Sequence, residues 1–392
     1  MCARKKSIRN GILALGFLFA VTACNTHTGP QFDYQIPEQI DDGIQVGSLV
    51  DVGMDEEKLE EAVVAISSGK YKEIHSLLIF KDGKLVLEEY FAGHRYKWDG
   101  PNFHGTLVTW QRPYKHTVMS VGKSMTSASI GIAIAQGYIE SVDQSIFDYL
   151  PDHQHLKTGG KDEITIEDLL SMTSGLEWKE WGYSYADLEN DIINLWVNCD
   201  DQISCILEKP LEHEPGTYFQ YNGGNTILLA EIIKNATGMD LEEYSGRYLY
   251  KPLGIEPPTL QRFDSGVVDG SGAYKLTSRD MVRLGVLFLN EGVWNGEQIV
   301  SSQWVERSAR SFPANSGITL PGTGAGKVGY SYTWYTKDNR RFGEMYFAYG
   351  FGGQAIMVFP DVDMVVVFTA GNFGAKTTEF EVLKKYLLPA LD

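Results

Sequence analysis

Ser120-Val121-Gly122-Lys123 sets a hydroxyl and an amine three residues apart, which on a helix places both on one face. A serine hydroxyl holds its proton too tightly to attack a carbonyl at neutral pH, so it needs an adjacent base. A lysine kept neutral by burial or by a neighbouring cation can be that base. The unpaired N–H groups of a helix N-terminus would also favour negative charge on a bound oxygen. Ser67-Ser68-Gly69-Lys70 repeats the spacing, but at the polar end of a helix beside glycine it reads as a solvated turn. A second base or proton shuttle is offered by Tyr221, in the Gly-rich run Gln220-Tyr221-Asn222-Gly223-Gly224-Asn225, because a phenol beside an ammonium can ionise.

The serine and lysine must be carried by the stretch 117–136, which has few polar interruptions and is rich in Ser, Ala and Gly before Gly137 stops it. Ahead of it, residues 55–66 have helical apolar spacing, and 75–80 and 84–91 flank the hairpin signal Asp82-Gly83. Residues 140–260 alternate helical segments (166–172, 187–196, 225–236 and 241–249) with loops and offer no convincing strand, which predicts an inserted helical subdomain. A helix over 278–290 follows. Strand patterns then return at 330–335, 354–359 and 364–370, with a closing helix near 379–388. The loop 312–327 is the least ordered internal segment by composition. Strands at both ends must share one sheet, so the expected class is α+β: an antiparallel sheet flanked by helices, plus the helical subdomain, with the serine at their junction.

The chain has 392 residues, 43% hydrophobic and 22% charged, the composition of an ordinary folded protein. Its 34 basic residues stand against 51 acidic ones, and a net charge of −17 argues against nucleic acid, which needs a basic face. Arg4, Lys5, Lys6 and Arg9 precede an apolar stretch that ends in Val21-Thr22-Ala23-Cys24. That pattern reads as a secretory signal (1–23) with a lipobox, cleaved before Cys24, whose thiol would carry the lipid that holds the protein on a membrane of the bacterial cell envelope. The competing reading is a short uncleaved anchor. Residues 24–45 read as a tether and 46–392 as the folded domain. An export compartment permits Cys199 and Cys205 to pair, and free thiols fit the sequence equally.

No metal or organic cofactor is expected. No Cys/His cluster has metal-ligand spacing, and His153-Gln154-His155 lacks further ligands nearby. Gly324-Ala325-Gly326-Lys327-Val328-Gly329 fits GxGxxG, yet strand-like residues follow where a dinucleotide fingerprint needs a helix. Neither GxSxG nor HExxH occurs.

Ser120, Lys123, Tyr221 about a hundred residues on, and a Gly-rich strand near the C-terminus together resemble the serine β-lactamase-like family of class C β-lactamases, DD-peptidases, esterases and 6-aminohexanoate-dimer hydrolases. The likeness extends from about Val46 to the end and includes Leu169-Leu170-Ser171-Met172-Thr173-Ser174-Gly175-Leu176, Thr277-Ser278-Arg279-Asp280 and Gly292-Val293-Trp294-Asn295-Gly296. Ala348-Tyr349-Gly350-Phe351-Gly352-Gly353-Gln354 looks most like the esterase and 6-aminohexanoate-dimer hydrolase branch. The resemblance implies Ser120 as acylated nucleophile and Lys123 with Tyr221 as base and shuttle. It implies the N–H groups of Ser120 and Phe351 as oxyanion hole, and Trp178, Tyr183 and Gly350 beside the substrate.

Two departures qualify it. The family's Tyr-x-Asn is here Tyr221-Asn222-Gly223, so its amide is missing or supplied by Asn222 or Asn225. The penicillin-recognising Lys-Thr-Gly is absent from the C-terminal strand, and the literal Lys157-Thr158-Gly159 falls between serine and tyrosine, out of order. Without that lysine a β-lactam carboxylate loses its cationic partner. The expectation is therefore an exported hydrolase of small-molecule esters or small amides. A DD-peptidase or β-lactamase acting on cell-wall-like substrates is the alternative within enzymes. A noncatalytic envelope lipoprotein that binds cell-wall fragments is the alternative outside them.

Overall fold

Asp55 caps the first helix, α1 (Glu56–Ser67), by accepting from the Lys58 N–H. The hairpin β1 (Ile74–Lys81) and β2 (Lys84–Tyr90) follows, then the ribbon β3 (Ala92–Tyr96) and β4 (His104–Thr109) and the short β5 (His116–Thr117). Helix α2 (Val121–Ala135) leads into a helical stretch with α3 (Ile166–Ser171), α4 (Asp191–Asn198), α5 (Gln202–Leu207), α6 (Gly223–Thr237) and α7 (Leu241–Ser245). After β6 (Lys275–Leu276) and α8 (Ser278–Leu289) come β7 (Val293–Trp294), β8 (Glu297–Gln298) and α9 (Ser302–Ala309). The chain closes with β9 (Ile318–Thr319), β10 (Lys327–Ser331), β11 (Trp334–Asn339), β12 (Gly343–Gly350), β13 (Gln354–Phe359), β14 (Met364–Ala370) and α10 (Glu379–Val382). These elements come from a computed structural model that describes residues 32–391 apart from Arg340. The predicted signal 1–23 and the lipid-bearing Cys24 lie outside the described residues. Among those residues no helix is long and apolar enough to cross a membrane.

The main sheet has eight strands in the order β2-β1-β14-β13-β12-β11-β10-β9, and every neighbouring pair is antiparallel. Its central strands are buried on both faces, so their side chains alternate between two cores. Leu78, Ile356, Val365 and Val367 join the core that contains α2, α6 and α8. Leu77, Met357, Val366 and Phe368 join the one under α1 and the C-terminal helices. Residues 140–260 contain no strand among the described residues, and most of their buried apolar side chains share the first core with α2 and the sheet, while Met172 and Tyr221 join the second.

Four expectations change. Residues 32–45 are not a free tether: Tyr34 donates to the Val86 carbonyl, Leu85 N–H donates to Gln45 O, and Ile44 is buried. The segment satisfies backbone groups along the β2 edge that would otherwise stay unpaired. Its Asp42 also pairs with the buried Arg279, which Glu88 grips from the other side. Polar, aperiodic sequence conceals this because the segment docks through polar groups. Helix α2 begins at Val121 rather than Thr117, since Val118 N–H still bonds to Tyr274 O and Met119 turns through φ 50°. The single strand expected at 330–335 is a hairpin, turned at Thr333 with φ 68°. The 312–327 loop is tied down, with Asn315 buried and donating to the Ser171 carbonyl.

Candidate active site

Ser120 stands at the N-cap position of α2, directly after Met119, whose φ of 50° strains the turn between β5 and the helix. One turn on, the buried Lys123 donates from Nζ to Ser120 Oγ at 3.2 Å and to the Ser271 carbonyl at 2.7 Å. Helix α6 packs beside α2, and Tyr221, just ahead of its cap residue Asn222, brings its ring to 5.2 Å from Lys123 Nζ. Trp181 stacks on the same ring with centroids 4.8 Å apart. The structure thus gathers Ser120, Lys123 and Tyr221 in one place, whereas the other SxxK lysine, Lys70, donates to Tyr386 at the end of α1. Lys157-Thr158-Gly159 lies in an exposed loop.

Phe351 follows the last residue of β12 and lines the site. A Cβ on Gly350 would fall 2.5 Å from the Val118 carbonyl oxygen and 3.1 Å from the Ser120 nitrogen, so only glycine lets the strand end come this close. Gly350 therefore acts by approach to the backbone and is not a lining residue. The backbone N–H groups of Ser120 and Phe351 take no partner in the turns that hold them, among the described residues.

Two hollows meet at Ser120, Glu180, Tyr185 and Phe351. One, of about 500 Å³, runs along the apolar Ile193, Trp196 and Val197 of α4. The other, of about 540 Å³, has an aromatic wall that includes Trp181 and Tyr183. Tyr183 thus lines the site. Trp178 does not: it is buried, and its indole Nε1 donates to Glu180 Oε2 at 2.9 Å from behind. Cys199 and Cys205 are disulfide-bonded, which ties the end of α4 to α5.

Glu180 was not foreseen from sequence. Its Oε2 also accepts the Gly223 N–H at 2.7 Å, and its Oε1 accepts the Tyr185 hydroxyl at 3.0 Å. A Cβ on Gly223 would meet that carboxylate at 3.0 Å and Ile192 at 2.9 Å. The space in front of position 223 is therefore filled by Glu180 and Ile192. Neither nearby amide lines the two hollows: Asn222 and Asn225 are buried, with Asn222 Oδ1 capping the Asn225 N–H and Asn225 Oδ1 accepting from Ser174. The only advance signal was the glycine at position 223.

Burial pushes the Lys123 ammonium towards losing its proton, but Tyr221, Glu180 and Asp269 outweigh it, so its pKa is raised. Burial likewise raises the Tyr221 phenol, with Lys123 and the hydroxyl of Ser120 pulling against it and Glu180 adding to it. Both groups are thus pushed towards their protonated forms. Instead of the neutral lysine suggested by burial alone, two buried carboxylates hold the proton in place.

The sequence pattern of the family described as Beta-lactamase matches residues 73–381. The 6-aminohexanoate-dimer hydrolase of Paenarthrobacter ureafaciens is 28% identical over 265 residues, 64% of this chain and 65% of that protein. A Salmonella agona protein assigned as a D-alanyl-D-alanine carboxypeptidase is 27% identical over 213 residues, 52% of this chain and 48% of its own length. The match thus spans less than two thirds of either curated relative. A solved structure from Bacillus anthracis, assigned as a 6-aminohexanoate-dimer hydrolase, superposes with TM-score 0.65 at 23% identity, covering 81% of this chain and 78% of that one.

Proposed function

The chain belongs to the beta-lactamase family of hydrolases, and from that premise we propose a serine hydrolase that cleaves an ester or small amide through an acyl-enzyme on Ser120. The observation that carries this reading is the 3.2 Å contact between Lys123 Nζ and Ser120 Oγ, beside the Tyr221 ring and at the meeting point of two hollows. Once the Lys123–Tyr221 pair has given up one proton to water, Ser120 Oγ attacks the carbonyl carbon while its own proton passes to the vacated place on that pair. The N–H groups of Ser120 and Phe351 take the developing oxyanion, and the pair returns the proton to the departing alcohol or amine. Water then repeats the sequence on the acyl-enzyme. The hollow along α4 suits an apolar acyl chain and the aromatic one a leaving group.

A second reading, action on D-amino-acid or β-lactam substrates, draws support from one residue. Lys275 lines the same hollow as Ser120 from β6 and has no ion-pair partner among the described residues. It could receive the carboxylate that the missing Lys-Thr-Gly lysine would bind. Hydrolysis of a short-chain p-nitrophenyl ester and of a chromogenic cephalosporin, each against the Ser120→Ala variant, separates the two. Serine-dependent ester cleavage with little cephalosporin turnover is expected. Cephalosporin turnover that is faster, and lost in Lys275→Gln, would establish the second reading, and no turnover of either would favour a binding protein.

The proposal includes export and lipid attachment at Cys24. Cys24→Ala is expected to release the protein from membranes, and continued membrane fractionation would overturn the anchor.

A further inference from the structure

Four of the eight histidines gather away from Ser120, beside the β3–β4 ribbon. His94 of β3, His104 at the start of β4, and Glu73 just ahead of β1 each offer one ligand atom, and the three atoms lie within 4.8 Å of one another. Glu73 Oε1 accepts from His94 Nδ1 at 2.8 Å. The two imidazole rings stack with centroids 4.5 Å apart and planes 3° from parallel. The geometry points to a binding site for a divalent first-row transition ion of the zinc class, held by Glu73, His94 and His104, independent of the proposed hydrolysis.

The surroundings are those of oriented ligands. His104 Nε2 can only donate to the Gly371 carbonyl, at 2.8 Å, so its Nδ1 carries the lone pair. The far oxygen of Glu73, Oε2, is fixed by the His94 N–H at 2.9 Å and by His75 Nε2 at 3.0 Å. His75 is itself fixed: His116 Nδ1 donates to Thr117 O, which leaves His116 Nε2 to accept from His75 Nδ1 at 2.8 Å. One proton shared between His75 and Glu73 Oε2 completes that side and leaves Oε1 turned towards the two imidazoles. Glu73 adopts φ 55°, a costly backbone for a side chain that could point elsewhere from an ordinary one. A Cβ on Gly93 or Gly371 would strike the His75 ring, at 2.2 and 2.7 Å, so both glycines are needed for the cluster to close.

Two imidazoles and a carboxylate suit zinc and its neighbours better than calcium or magnesium, which prefer all-oxygen shells. On binding, the His94 Nδ1 proton would move to Nε2 and the metal take its place against Glu73 Oε1. Tetrahedral ligands stand roughly 3.3 Å apart, so the 2.8 Å contact between His94 Nδ1 and Glu73 Oε1 would open slightly to admit the ion. Three protein ligands leave one position for water. The ion would pin the ribbon whose Tyr96, Trp98 and Phe103 line the hollows. It would sit behind the aromatic wall, with Phe373 6.4 Å from the His104 ring and Phe103 5.6 Å from Phe351.

The test titrates zinc into the purified, chelator-stripped chain, reading stoichiometry by competition with a chromogenic chelator and stability by thermal melting. One ion per chain with a raised Tm is expected, with affinity reduced by about 100-fold or more in His94→Asn and His104→Asn. Zinc-free protein at micromolar zinc, or equal retention by both variants, would overturn the site. Should the variants fail to fold, X-ray absorption at the zinc edge of the unmutated protein decides. Two imidazoles in the first shell support the assignment, and none defeats it.

Discussion

The Ser120 cluster and the Glu73 cluster both bring ionisable side chains together at the same aromatic wall, yet they are built in opposite ways. In the first, the candidate reacting groups ride on or beside two long helices packed side by side, with their polar atoms turned into open hollows. In the second, the groups come from a turn residue at positive φ and from two short ribbon strands, with Glu73 hydrogen-bonded to His75 and His94, and His104 held by the Gly371 carbonyl. Rigid elements can hold a side chain towards an open hollow, while a network of mutual donors and acceptors has room for little beyond an ion. Charge differs as well. Burial pushes the Glu73 carboxyl up, but hydrogen bonds from His75 and His94 outweigh it and hold it down to about 2. Lys123 instead keeps its proton against burial because Tyr221, Glu180 and Asp269 surround it.

The largest effect that could break this contrast is on turnover. Ser120→Ala should reduce it by about 10⁵-fold or more. Tyr221→Phe should lower kcat by roughly 10²- to 10⁴-fold with KM little changed. His94→Asn and His104→Asn should stay within a few-fold in steady-state ester assays. A loss in either histidine variant as large as that of Tyr221→Phe would show that the two clusters act as one.

A smaller effect concerns Glu379, buried outside both clusters beneath the hairpin that carries Phe351. Its Oε1 accepts from Tyr349 at 3.1 Å while Oε2 has no partner among the described residues, and burial pushes the carboxyl up to about 7. The folded chain binds this proton more tightly than the unfolded chain does. The group's contribution to stability is therefore full at acid pH and falls as pH rises from the ordinary value of 4.5 to about 7. Glu379→Gln should accordingly gain up to ~3 kcal/mol relative to the parent on going from pH 4 to pH 8, read by denaturant melts. A pH-independent difference would mean that the carboxyl is solvated or paired.

The smallest effect sharpens the contrast within the Ser120 cluster. Glu180→Gln removes a negative charge that raises both Lys123 and Tyr221, so the rising limb of kcat/KM should move to lower pH, with turnover reduced by about tenfold. An unmoved limb would remove Glu180 from the control of the pair.

How far each cluster was legible follows from these constructions. Ser120 and Lys123 stand three residues apart on one helix, so periodicity alone joins them. Tyr221 was found by its Gly-rich turn and by order along the chain. Glu180 escaped notice because its place was opened by a missing side chain at Gly223, and an absence in one segment does not say which other segment fills it. Glu73, His94 and His104 share no period and no motif. Residues 32–45 read as a tether because their partners, the β2 edge and Arg279, lie elsewhere in the chain.

By itself the sequence determined what local rules decide: the amphipathic and alternating segments, the sheet's apolar strands, the Ser-x-x-Lys face, and the family to which these belong. Only the tertiary structure decided which carboxylate faces the lysine, that Trp178 stands behind Glu180 rather than in the site, and that the docked segment and the histidine cluster exist. Those outcomes depend on contacts between distant parts of the chain, where a hydrogen bond or a close approach is set by packing of whole elements and leaves no periodic trace in either segment.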